Sequence, residues 1–213
     1  MSYVVPSLDT FGRVFARLDT ERFQQCFVSW VQAVFQETKG QVVAVDGKTV
    51  RRSHDRTSQQ EAIHMVSAWA TASHLVLAQQ RVDEKSNEIT AIPALLRLLD
   101  ISGCIITIDA MGTQTEIATQ VIDQKADYLL AVKDNQPNLH EDIELFVRLA
   151  HENNFQKVEA TYARTVNKDH GRIEIRECWA ISGEDSLQFL RHYNQWAALR
   201  TIVMITSQRQ RVD

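Results

Sequence analysis

The run Val42-Val43-Ala44-Val45-Asp46-Gly47-Lys48 constrains this chain more than any other stretch. Four consecutive small or β-branched apolar residues read as a strand covered on both faces. A carboxylate directly after them cannot share that burial without a large desolvation cost, so Asp46 is expected where the strand leaves the sheet. The same pattern returns in Cys104-Ile105-Ile106-Thr107-Ile108-Asp109-Ala110-Met111-Gly112. Open sheets place ligands beyond their strand ends, so two such strands lying side by side would present Asp46 and Asp109 together.

The remaining elements follow from caps and periodicity. Ser7 caps a short helix to about Leu18. Asp19-Thr20 cap a second, with Phe23, Phe27, Trp30, Val31 and Val34 on one face and Gly40 as its stop. Residues 63–71 and 74–82 read as strands joined by a tight turn at Ala72-Ser73. A charged link, Asp83 to Glu88, leads into a helix with Ile92, Leu95, Leu96 and Leu99 inward, where Pro93 is tolerated only in the first turn. After the second aspartate strand come a helix over about 113–124, a buried strand over 127–132 and a helix over about 138–152. Beyond these, half-exposed strands over 158–166 and 172–181, a short helix near 187–196 and a strand over 200–206 complete the chain. This order predicts a mixed sheet with helices packed on it, an α/β domain.

Composition excludes several classes. A 213-residue chain with 44% hydrophobic residues can bury a real core, and no apolar run approaches a membrane span. No secretory signal is visible at Met1-Ser-Tyr-Val-Val-Pro, which points to a soluble cytoplasmic protein. A net charge of −4 gives no global attraction to nucleic acid, so any such binding relies on local cations. Cys26, Cys104 and Cys178 lack metal or redox spacing and read as buried thiols in a reducing compartment.

Two carboxylates held close together need positive charge near them. Mg²⁺ (or Mn²⁺) suits oxygen ligands at a phosphodiester centre. Lys48, Arg51 and Arg52 follow the first aspartate, placed to grip a phosphate backbone. The competing reading is that Asp46-Gly47 is only turn chemistry. Lys133, Asn135 and Gln136 end a strand and are either phosphate contacts or ordinary loop residues. Arg172, Glu174 and Arg176 share one strand face, either as cross-paired surface charges or as a DNA contact with a third acid at Glu174. Gly47-Lys48-Thr49 imitates the end of a phosphate-binding loop but lacks the earlier glycine. The histidines show no metal spacing.

The motifs as a set resemble a known family. They are Val43 to Thr49, His64-Met-Val-Ser-Ala-Trp69, Asp83-Glu-Lys-Ser-Asn-Glu-Ile89, Ile106 to Gly112, Leu130 to Pro137 and His170-Gly-Arg-Ile-Glu174. In this order they resemble bacterial insertion-sequence DDE transposases of the H-repeat-associated-protein type. The resemblance implies an RNase H-like mixed sheet with flanking helices plus a β-rich insertion near the C-terminus. It divides the chain into a helical segment 1–40, a catalytic core 41–152 and a β-rich part 153–213. It also implies metal-dependent DNA end cleavage and strand transfer, with Asp46 and Asp109 as catalytic metal ligands. Double-stranded DNA, both element ends and target, is the implied partner, with nucleoid association when bound. The last strand, which needs neighbours, adds self-association as a homodimer. The family's third acid, in a His-Trp-x-Ile-Glu-Asn motif, has no match here, so the chain is expected to be cut at both ends and impaired or inactive. Glu88, at a helix start, and Glu174 are the local substitutes considered for that acid. A non-catalytic DNA-binding or dimerising remnant is the alternative.

Overall fold

The computed structural model describes residues 6–35, 40–51, 53, 62–82, 87–156, 158–169 and 172–211. The chain divides into two compact units, residues 1–108 with 123–129 and residues 109–122 with 130–213.

In the first unit, five strands form one sheet in the order β3-β2-β1-β4-β5. Their spans are β1 Val42–Thr49, β2 His64–Ala70, β3 Leu75–Arg81, β4 Ile105–Ile108 and β5 Asp127–Leu130. β1 pairs antiparallel with β2 and β2 with β3, whereas β4 runs parallel to β1. This is the mixed RNase H-like sheet that the motif order implied. Val43, Val45, Val66, Ala68, Leu77, Ile106 and Ile108 are buried on its faces. The turn between β2 and β3 carries His74 at φ 55, close to the expected position.

Helices of this unit depart from expectation in informative ways. α1 (Leu8–Phe15) is capped by Ser7 and buries none of its residues. α2 (Thr20–Phe35) begins with the Asp19 carboxylate accepting from the Arg22 N–H at 3.1 Å. Its predicted apolar face is only partly covered: Val31 is buried, but Phe23 and Trp30 are half exposed. The helix lies against β3, an edge strand, and an edge covers only a narrow strip. α3 (Glu88–Arg97) packs on β2 and β3 through Ala91, Ile92, Leu95 and Leu96. Pro93 lies inside α3, past the first turn, so the expectation that it needs a first-turn place is corrected. The helix gives up one i→i−4 hydrogen bond there. The buried residues around it hold the helix regardless. The link at 83–86 lies outside the described residues.

The second unit contains α4 (Thr115–Asp123, ending at the unit boundary), α5 (Pro137–Glu152), α6 (Glu184–Leu187) and a three-stranded antiparallel sheet. That sheet runs β6-β7-β8, each strand eleven residues long: Glu159–Asp169, Arg172–Ser182 and Thr201–Arg211. All three are longer than the sequence suggested. The turn at 170–171 lies outside the described residues. The helix expected over 187–196 is broken. Asp142 on α5 accepts from the Arg191 backbone N–H at 2.6 Å and from its Nε–H at 2.8 Å, and His192 takes φ 63. A backbone N–H committed to a buried carboxylate cannot extend a helix. Glu141 first, and Asp142 next, raise the Arg191 guanidinium pKa above its ordinary value.

Cysteine placement is also corrected. Only Cys104 is buried, Cys178 is half-buried and Cys26 is exposed on α2. Burial, followed by the Asp100 charge, pushes the Cys104 thiol pKa up. Among the described residues no helix is long and apolar enough to cross a membrane.

Candidate active site

β1 does not end at Asp46. It continues through Asp46, Gly47 and Lys48 to Thr49, paired with Ser67, Val66, Met65 and His64 of β2. Asp46-Gly47 is therefore no turn, and the expected strand exit is corrected. What ends at this point is the partner on the other side. The parallel pairing of β1 with β4 runs from Val42 opposite Ile105 to Val45 opposite Ile108, and stops. Asp46 can stay inside a strand because it is solvent-exposed there. Its neighbour Lys48 brings Nζ to 3.2 Å from Asp46 Oδ2, with both side chains more than half exposed. Such a pair adds little to stability.

The residue after Ile108 is Asp109, also exposed. It caps a 3-10 turn over Ala110–Gly112, with Oδ1 accepting from the Met111 N–H at 3.2 Å. Thr113 holds this turn from below. It is fully buried, and its hydroxyl donates to the Ala131 carbonyl at 2.6 Å. Gln136 donates from Nε2 to the Thr113 carbonyl at 2.9 Å, and Asn135 donates from Nδ2 to the Ala110 carbonyl. The sequence offered Asn135 and Gln136 as phosphate contacts; here their amide N–H groups brace the segment that follows Asp109. β5, expected to be buried, is a half-exposed edge strand two residues shorter than predicted, and Lys133 beyond it is exposed.

Of the other cations, Arg51 is exposed just after β1 and Arg172 is exposed at the start of β7, while Arg52 lies outside the described residues. Glu174 sits in the middle of a charge cluster on β7 and β8. Arg176 donates to it at 2.9 Å, Arg209 at 3.0 Å and Ser207 at 3.2 Å. The Arg209 hydrogen bond is the main cause holding its carboxyl pKa below the usual range. This is the cross-paired surface that the strand pattern allowed.

Glu88 is placed differently. It is the first residue of α3, its side chain is 12% exposed, and its Oε1 lies 2.5 Å from His64 Nε2. A methyl group added at Gly47 would overlap the Glu88 carboxylate. Sequence reasoning placed His64 at the head of a motif but assigned it no role, because a lone histidine carries no spacing signal. It passed over Thr113 for the same reason.

Among the described residues, no group of three or more His, Cys, Asp or Glu side chains converges as it would around a metal ion. Asp46 and Asp109 are nevertheless hard oxygen donors open to solvent. That donor chemistry fits Mg²⁺, which binds through one or two carboxylates and keeps its remaining positions for water and substrate phosphate.

Comparison with known proteins gives a consistent result. Residues 37–212 match the family described as "Transposase DDE domain". The chain is 44% identical over 209 residues to the Xanthobacter autotrophicus "Uncharacterized protein in dhlA 3'region", covering 97% of this chain and 68% of that one. It is 41% identical over 209 residues to "Putative transposase YncI" of Escherichia coli O157:H7, covering 98% and 52%. It is 40% identical over 205 residues to "H repeat-associated putative transposase YhhI" of Escherichia coli K12, covering 96% and 53%. The chain thus spans about half the length of these two Escherichia coli relatives.

Proposed function

The chain belongs to the DDE transposase family, and we propose that it carries the Asp46 and Asp109 portion of a metal-dependent centre for cutting and joining DNA. One observation carries this reading. Two neighbouring parallel strands stop pairing at Val45 and Ile108, and the next residue on each is an exposed aspartate. Asp46 and Asp109 would hold Mg²⁺ or Mn²⁺, which when bound lowers the pKa of an attacking water and offsets charge on the departing oxygen. The chain's own contribution is orientation. β1 fixes Asp46 through its pairing with Ser67, and the Thr113, Asn135 and Gln136 hydrogen bonds fix the turn that begins at Asp109. Lys48 and Arg51, both exposed, would contact the phosphates of double-stranded DNA at the element end or target.

No third carboxylate converges with the aspartates among the described residues, so strand transfer by this chain alone would be weak or absent. The same observation favours a second reading, a DNA-binding protein without catalysis. Nicking of element-end DNA with Mg²⁺ or Mn²⁺ separates the two. The catalytic reading expects slow, metal-dependent nicking, lost in Asp46→Ala and in Asp109→Ala. Salt-sensitive DNA binding with no nicking in either metal would leave only the second reading.

A further inference from the structure

β1 outlasts its neighbour. From Asp46 to Thr49 it is paired with β2 alone, because β4 has stopped at Ile108. β2 is backed there by β3, but β1 has become an edge held from one side only, a weaker mount for a carboxylate that has to be held in place. The structure supplies a brace at this point. His64, directly opposite Thr49, shares a 2.9 Å hydrogen bond between its Nδ1 and Thr49 Oγ1, and its Nε2 lies 2.5 Å from Glu88 Oε1. A carboxylate accepts, so Nε2–H donates to Glu88, while Nδ1 shares its hydrogen bond with the threonine hydroxyl. The Glu88 carboxylate in turn rests on Gly47, in the space a side chain would fill. The first residue of α3 is thereby pressed onto β1 one residue beyond Asp46.

We propose that His64, Glu88 and Gly47 form a seat that fixes the Asp46 segment of β1, with His64 a positioning residue acting through Glu88. The seat explains three residues at once. Gly47 is glycine because the carboxylate occupies its Cβ position. Glu88 tolerates being mostly buried because His64 partners it. His64 is held in one orientation by hydrogen bonds at both ring nitrogens.

The proposal rests on the reading of Asp46 as a metal-binding carboxylate, and its test has two arms that fail separately. The first is a thermal-unfolding cycle of Gly47→Ala and Glu88→Ala. Gly47→Ala is expected to lower Tm by roughly 5 °C with Glu88 present and by less than half that in the Glu88→Ala background. Equal losses in both backgrounds would overturn the seat. The second arm is Mn²⁺ titration of the full chain. His64→Ala is expected to weaken Mn²⁺ binding about tenfold, the scale usual for residues that orient metal-binding side chains. His64→Gln keeps an N–H for Glu88 and is expected to recover binding to within about threefold. Folded His64→Ala protein that binds Mn²⁺ as tightly as the parent would also overturn the proposal. If Asp46→Ala leaves Mn²⁺ binding unchanged, the metal reading fails, and the unfolding cycle still decides the seat.

Discussion

The two sheets treat charge in opposite ways. In the five-stranded sheet the strands β1 and β4 bury apolar side chains, and Asp46 and Asp109 follow the point where their mutual pairing stops. In the three-stranded sheet the strands are long and half exposed, and the acid at Glu174, near the start of β7, is hydrogen-bonded to two arginines. Asp46 has one exposed lysine beside it, whereas Glu174 has two arginines and a serine. A carboxylate already satisfied by its own sheet has little left to offer a ligand. Asp46 and Asp109, exposed just past the point where β1 and β4 stop pairing, have fewer partners of their own and remain available. The sequence put Asp46 and Asp109 forward as metal ligands and Glu174 only as a substitute third acid, and Glu174's own arginine partners account for it as surface.

That contrast can be broken or sharpened by measurement. The largest effect is expected in the core of the first sheet. Ile106→Ala on β4, fully buried, should cost about 2–5 kcal/mol in denaturant unfolding, whereas Val203→Ala on β8, 38% exposed, should cost under about 1 kcal/mol. Similar costs at both positions would show that the second sheet is as tightly covered as the first.

Next in size is a pH effect from Glu174→Gln. Because the carboxyl pKa is depressed in the fold, its stabilising contribution is complete above the unfolded carboxylate pKa and is lost as pH falls through the lower folded value. The Tm difference between parent and variant should therefore be present at neutral pH and shrink in acid. A difference that persists unchanged into strong acid would assign the effect to shape and not to charge. The smallest effect is chemical. Alkylation of the native protein should modify Cys26 fastest, Cys178 more slowly and Cys104 last, since burial and a raised pKa both disfavour its thiolate. Early loss of Cys104 would mean that the sheet opens near β4.

Much of the fold was legible because its signals are local. Continuous apolar runs located β1 and β4, alternation marked the start of β7, and the caps at Ser7 and Asp19 located two helices. What was not legible depends on partners distant in sequence. Nothing near Asp46 says that β2 extends four residues beyond the end of β4 and keeps the aspartate inside a strand. Nothing near Arg191 says that Asp142 will capture its N–H and break a helix. The paired aspartates were readable as candidates. The roles of His64 and Thr113 were not, because a single hydrogen-bonding side chain has no period or spacing to mark it.

The position of β1 at the middle of its sheet also orders assembly. Its pairing with β2, and that of β2 with β3, join segments near one another in sequence, whereas β4 reaches β1 only after α3 and its flanking segments have crossed over. Closing a short loop costs less entropy than closing a long one, and non-local parallel pairing is the slow part of a sheet. The meander that carries Asp46 can therefore gather early, while the strand that ends at Asp109 joins late. A nascent chain would hold Asp46 in place before Asp109 arrives, and the two aspartates would follow neighbouring strands only once β4 has paired with β1.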